Sequence, residues 1–321
     1  MALLKLIYRC PTVLNLQDIL PEAAIQTGLI SNRFAIRVFE TLENFAYRSS
    51  TRISVIAEGF RQNLLGKGVP NSKMNIISNW VDVNFIRPMD KYNNAFRQAN
   101  GLGDKFVVLY SGNIARTQGI QTVIRAAAQL QHLKNLVFVI VGEESQLSDL
   151  DELRQELGIH NVLLRPFAPR AELPEMLAAA DVGLIVQKKN VVGFNMPSKT
   201  QVLLASGRPI LAAVPAHGTA AQAIRASGGG LVVKPEDPED LAQAVQNLYE
   251  NPQLAESLGQ QGRRHAMHEY SFEQALNRYE LLFKQVVLEN RGLLPYAADM
   301  SPQLAPAAET PVNAPLPPHT R

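Results

Sequence analysis

Scarcity is informative in this chain of 321 residues. Its one cysteine, Cys10, excludes an intramolecular disulfide framework and a zinc site built on cysteines. Such usage suits a reducing compartment. There is one tryptophan, and no basic run interleaved with aromatic residues. With a formal net charge of only +2, that argues against nucleic acid as a partner. No apolar stretch is long enough to cross a bilayer. The opening MALLKLIYRCPTVLNLQDIL lacks a small-residue cleavage site, so it reads as a strand or buried helix end, not a signal peptide. These absences predict a cytoplasmic protein, with a peripheral contact to the inner face of the plasma membrane left open.

What is present is apolar surface, 46% of residues, enough for two cores. From Lys105 onward, strand-like runs at 106–111, 136–142, 162–167, 182–186, 209–214 and 230–235 alternate with helix-like segments. Strands apolar on both faces, separated by helices, predict a parallel sheet covered on both sides. Helices follow at 238–250, 252–268 and 271–288. Before Lys105 the pattern is sparser: strands at 11–16, 52–57 and 74–78, and an amphipathic helix at 33–48 with Phe34, Val38, Leu42 and Phe45 on one face. Three strands are few for a doubly wound sheet, so residues 1–90 read as part of a first domain. Residues 91–104 read as a linker and 105–270 as a second domain. The helix at 271–290 is expected to return to the first domain. Seven of the 20 prolines fall within 295–321, which is expected to be disordered.

In open parallel sheets, ligands bind beyond the carboxyl ends of the strands. Two segments stand out there. LYSGNIARTQG runs from a strand through Gly112 and a polar loop to Gly119 and a helix N-terminus, where unpaired N–H groups favour anions. Arg116 adds a fork of donors suited to phosphate oxygens. The same pattern also fits a plain strand-to-helix turn with a solvated Arg, and taken alone the residues leave both readings open. MPSKT then places Pro197, Ser198, Lys199 and Thr200 at a helix start, with hydroxyls and a cation at its positive end. That arrangement suits a diphosphate.

LYSGNIARTQG, FVIVGE, LAAADVGLI, MPSKTQVLLASGRPI and NWVDVNFIRP, in this order, resemble a family-four glycosyltransferase of the GT-B fold, closest to the colanic acid and exopolysaccharide type. The likeness runs from about Pro11 to Phe283. It implies an α/β fold of two Rossmann-like parallel-sheet domains, the first incomplete here, with the acceptor on the first and the donor on the second. It implies a nucleotide-diphosphate sugar as donor substrate, no metal and no further cofactor, a glycan or lipid-linked acceptor, and retention of anomeric configuration. Carried over by position, Asp18, Arg116 and Lys199 become the candidate catalytic residues. Gly112, Asn113, Gln118, Gly119, Gly142, Glu143, Pro197, Ser198 and Thr200 become the candidate donor-binding residues.

The sequence departs from the family at three places. Relatives often hold an Arg and a Lys where Asn113 and Gln118 stand, so phosphate neutralisation falls to Arg116, Lys199 and helix dipoles. The family's paired glutamates align with Phe194 and Val202. The opening strand, Gly-containing loop and helix expected of such an enzyme are not recognisable in Met1–Arg9. A binding protein without catalytic activity, or one needing a separate N-terminal half, is therefore the second reading. A sugar-nucleotide epimerase of the same fold ranks third. Elsewhere Cys10 is expected to be a buried apolar side chain and Trp80 to pack under the hinge. The spacing of His265 and His268 is weak evidence for metal. Asp181 is expected to hydrogen-bond at a helix–strand junction.

Overall fold

Alternation of apolar runs and helical periodicity produces two parallel sheets in a computed structural model that describes residues 5, 7–26, 28, 30–115, 117–193 and 195–293. The first unit runs β1 (Val13–Leu16), α1 (Leu20–Gln26), α2 (Arg33–Ser49), β2 (Arg52–Val55), α3 (Glu58–Gly66) and β3 (Met74–Ile76). Its three strands pair in parallel in chain order. A short helix, α4 (Ala95–Ala99), precedes the second unit.

The second unit continues with β4 (Phe106–Ser111), α5 (Gln121–Gln129), β5 (Leu136–Gly142), α6 (Glu144–Glu156), β6 (Val162–Pro166) and α7 (Leu173–Ala178). Then come β7 (Val182–Val186), α8 (Lys199–Ala205), β8 (Ile210–Ala213), α9 (Thr219–Ser227) and β9 (Gly230–Val233). The chain closes with α10 (Pro238–Glu250), α11 (Pro252–Glu269) and α12 (Phe272–Asn290). Six parallel strands lie in the order β6-β5-β4-β7-β8-β9. The order reverses between β4 and β7, and that switch opens a crevice at their carboxyl ends.

Successive strand side chains point to opposite faces, so each strand feeds two cores. Val108, Tyr110, Phe138 and Ile140 pack under Val123 and Ile124 of α5 and Leu241 and Val245 of α10. Val107, Leu109 and Val139 take the other face, against Met176 of α7 and Leu203 of α8.

The two units are joined at several places. Val81 pairs with Ser271, so the chain crosses the junction twice side by side. Beyond it, Leu282 and Val286 of α12 pack with Ile77 and Val13 of the first unit. Glu289 pairs with Arg52 of β2, each side chain 3% exposed. Val191, from the loop between β7 and α8, lies in the first unit's core.

Cys10 departs from the expectation, and other segments take places that the sequence left open. The stripe Phe34, Val38, Leu42 and Phe45 of α2 faces outward, with Phe34 77% exposed, because the helix docks through Tyr47 on its opposite side. Cys10 is exposed, ahead of the first strand. Residues 91–104 are a docked segment: Arg97 of α4 is 2% exposed and donates to the carbonyls of Gly103, Lys105 and Ala179. Four acceptors for one guanidinium, Asp181 included, fix this stretch against the second unit. Trp80 is half-exposed, set edge-on to Phe272. The segment 295–321 lies outside the described residues. No helix among the described residues is long and apolar enough to cross a membrane.

Candidate functional site

The crevice at the switch between β4 and β7 collects most of the residues singled out above. Gly112 follows β4 directly at a φ of 143°, a backbone region that side chains disfavour. Its N–H donates to Val141 O at 3.0 Å, tying the loop to the end of β5. At the end of β5, Gly142 leaves room for Ile114, whose Cδ1 lies 2.6 Å from where a Cβ would stand. Ile114 N–H is held by Gln146 Oε1 of α6 at 3.0 Å. The loop after β4 is thus folded back over β5. This is what two glycines at adjacent strand ends permit.

Lys199 opens α8 and reaches over this loop. Its Nζ lies 2.9 Å from where a Gly112 Cβ would stand, and 3.9 Å from the centroid of the Tyr110 ring. The nitrogen is buried and has no hydrogen-bond partner. Burial pushes the amine down to about 8, since a desolvated ammonium is costly. A buried cation without an anion is an uncompensated charge. The site therefore favours an incoming anion.

At the same edge of the sheet, Thr200 Oγ1 and Gln118 Oε1 are also buried without partners. Tyr110 donates its hydroxyl to Asn113 O at 2.8 Å, fixing the loop from below. Gly119, at a φ of 62°, turns the chain into α5 against the Lys188 side chain. Lys188 N–H in turn donates to Thr117 O at 2.8 Å.

Of the residues predicted from sequence, Gly112, Asn113, Gln118, Gly119, Gly142, Pro197, Ser198, Lys199 and Thr200 lie at the carboxyl edge of the second sheet. Pro197 is buried and accepts from Thr200 N–H through its carbonyl. Ser198 occupies the cap position of α8, exposed, with no side-chain capping bond. Glu143 is exposed and precedes α6. Asp18 is exposed just beyond β1, and the structure does not join it to Lys199. Arg116 lies outside the described residues. Tyr110 was hidden from sequence reading inside an aliphatic strand run. Its only signal is an aromatic hydroxyl one residue short of the strand end.

Gly112→Ala is expected to destabilise the protein by about 1–2 kcal/mol and to push the Lys199 amine aside. The strained φ and the 2.9 Å approach act together. Thermal melting of the variant checks this, and an unchanged midpoint counts against it.

A second hollow is reached by one side chain of the same helix, Val202 of α8. A cavity of about 570 Å³ lies between the inter-unit junction and the second sheet, walled by Trp80, Phe85, Phe272, Arg170, Glu273 and Val202. The Arg170 guanidinium stands 6.0 Å from the Phe85 ring centroid. Val202 follows Lys199 by three residues in α8, so both are on one helix face, about 4.5 Å apart along the axis. The lining combines aromatic and aliphatic side chains with one cation, Arg170, and two carboxylates, Asp82 and Glu273. That chemistry suits a flat ring bearing polar edges.

Comparison with known proteins agrees with this architecture. The profile of the family "Glycosyl transferases group 1" matches residues 93–265. The "Putative colanic acid biosynthesis glycosyl transferase WcaI" of Escherichia coli K12 is 29% identical over 251 residues, which cover 76% of this chain and 61% of that one. The match thus spans less than two thirds of the E. coli protein. The "Probable glycosyltransferase WbjE" of Pseudomonas aeruginosa is 26% identical over 87% of this chain and 69% of its own length. Anabaena Alr3699/HepE, crystallised with UDP, superposes with a TM-score of 0.71 at 20% identity, over 89% of this chain and 74% of that one. That likeness speaks for the fold. With its family match covering more than half of the 321 residues, the chain belongs to the group 1 glycosyl transferases and has the α/β GT-B fold, built on two parallel sheets.

Proposed function

We propose that the chain takes a nucleoside diphospho-sugar as donor and transfers its sugar, with retention of anomeric configuration, to a glycan or lipid-linked acceptor in exopolysaccharide assembly. The observation that carries this reading is the buried, unpartnered Lys199 amine beneath the Gly112 turn. Negative charge grows on the diphosphate as the sugar departs, and a fixed cation there stabilises the transition state. With Asn113 and Gln118 uncharged, Lys199 is the chief cation for this task among the described residues. The aromatic cavity one turn along α8 receives the nucleoside, with Arg170 donating to carbonyl edges of the base. Two facts support the reading from outside the chain: HepE was crystallised with UDP and with UDP-glucose, and WcaI is named for colanic acid biosynthesis.

Calorimetric titration with UDP, GDP and inorganic pyrophosphate tests the donor site. Arg170→Ala is expected to weaken UDP binding about tenfold while leaving pyrophosphate unchanged, because only the nucleoside reaches that wall. Equal losses for both ligands, or no binding of any of the three at millimolar concentration, would overturn the assignment. A binding protein without transferase activity is the alternative. It is favoured by Val202, an apolar side chain where the family resemblance implies a ribose-binding carboxylate. Proton NMR of the product from a UDP- or GDP-sugar library separates the two readings and reads the anomeric outcome directly.

A further inference from the structure

We propose that Tyr110 is the positioning residue of this donor site, its ring face holding the Lys199 ammonium and its hydroxyl holding the loop carbonyl that frames the diphosphate. The inference rests on the Lys199 reading above and adds to it a residue that sets where the charge stands.

Three observations meet at this side chain. Tyr110 is 0% exposed within the core under α5, so packing fixes its ring. The Lys199 Nζ sits 3.9 Å from the ring centroid, and this is a cation–π contact in a desolvated place, where such contacts are strongest. The phenol donates to Asn113 O at 2.8 Å, and burial raises its pKa far above neutrality, so it remains a donor throughout the working range.

A lysine has a flexible stem, and no described hydrogen bond fixes this one. The ring is what keeps the ammonium over Gly112 and out of the apolar surroundings. One rigid aromatic thereby sets the cation and the loop in register before any ligand arrives. Among the described residues, Lys188 and Glu236 stand beside Gly119 and Glu143 follows the end of β5, and Glu236 already accepts from the Lys189 N–H. Arg116 is a further cation of this loop by sequence.

The test is calorimetric titration of UDP between pH 6 and 10 on the full chain and on Tyr110→Phe, Tyr110→Leu and Lys199→Met. In the wild type, affinity is expected to fall as the pH rises through about 8, where the Lys199 amine loses its proton. Tyr110→Phe keeps the ring. It should preserve this midpoint and lose affinity only two- to fivefold through the freed loop. Tyr110→Leu removes the ring. It should lower the midpoint and weaken UDP at least tenfold at pH 7, with circular dichroism confirming the fold.

In a Lys199→Met background, Tyr110→Leu should cost no more than Tyr110→Phe does. A wild-type midpoint in Tyr110→Leu, or an undiminished loss in the Lys199→Met background, overturns the proposal. Should Lys199→Met itself bind UDP as the wild type does, the donor-site reading fails instead. The two failures are therefore distinguishable. If Tyr110→Leu does not fold, a shifted midpoint in Tyr110→Phe overturns the proposal.

Discussion

Replacing Lys199 with methionine is expected to weaken nucleoside diphosphate binding by about ten- to a hundredfold and to make the unliganded protein more stable. The first effect follows from removing a charge-assisted contact, about 1.5–3 kcal/mol for a hydrogen bond to a charged group. The second has the opposite sign because the amine is buried without a partner. Its pKa is about 8 in the fold against 10.5 for the ordinary group. Below pH 8 the folded and unfolded states are both charged, and the fold carries the whole desolvation penalty. Between about 8 and 10.5 the unfolded state binds more protons, so wild-type stability rises with pH and the penalty is relieved.

Methionine preserves most of the volume and carries no charge. At pH 7 the variant should therefore gain about 1–3 kcal/mol, less whatever the lost contact with the Tyr110 ring contributed. Denaturant unfolding at pH 7 and pH 10.5, beside UDP titration, measures both effects. The variant's advantage should shrink at the higher pH. A Lys199→Met protein that is no more stable at pH 7, yet binds UDP normally, would remove the basis for placing a diphosphate here. Natural proteins keep such penalties at functional sites.

Asp181→Ala is expected to be the most destabilising single substitution considered, about 3–5 kcal/mol, without touching the donor site. The carboxylate receives the Arg97 guanidinium at 2.8 Å, the Lys91 ammonium and the Val107 N–H at 2.9 Å. Arg97 is 2% exposed, so removing its counter-ion strands a buried cation, and breaking buried pairs from one side costs on this scale. The three carbonyls that Arg97 also engages place the expected value toward the lower end.

Asp181 lies just before β7, at the amino edge of the sheet, whereas Lys199 works at the carboxyl edge, about 16 Å away along a five-residue strand. The variant should melt roughly 6–12 °C lower. Below that midpoint it should bind UDP as the wild type does. Weak binding in a folded Asp181→Ala protein would mean that the two sheet edges are coupled.

The second unit was largely legible because each of its signals is local. FVVLYS and LVFVIVG form strands over the predicted residues, since apolar runs flanked by glycine have few other outcomes in a parallel sheet. Helix α10 starts where Pro and acidic residues predicted it, with Asp237 capping Glu239 and Asp240 N–H. The α2 stripe shows the limit of such reasoning. Periodicity put Phe34, Val38, Leu42 and Phe45 on one face, but it carries no information about which face meets a neighbour.

By itself, then, the sequence determined the alternation of strands and helices, the glycines at the strand ends and the nature of the cation at MPSKT. Tertiary structure alone decided what that cation does. Tyr110 and Lys199 are 89 positions apart and no pattern links them. They meet because β4 and β7 are neighbours at the reversal of strand order, which brings the start of α8 over the end of β4. The burial that lowers the Lys199 pKa, and the absence of a carboxylate partner, are properties of that meeting. A residue pattern records neither, because both depend on what the rest of the chain places beside the amine.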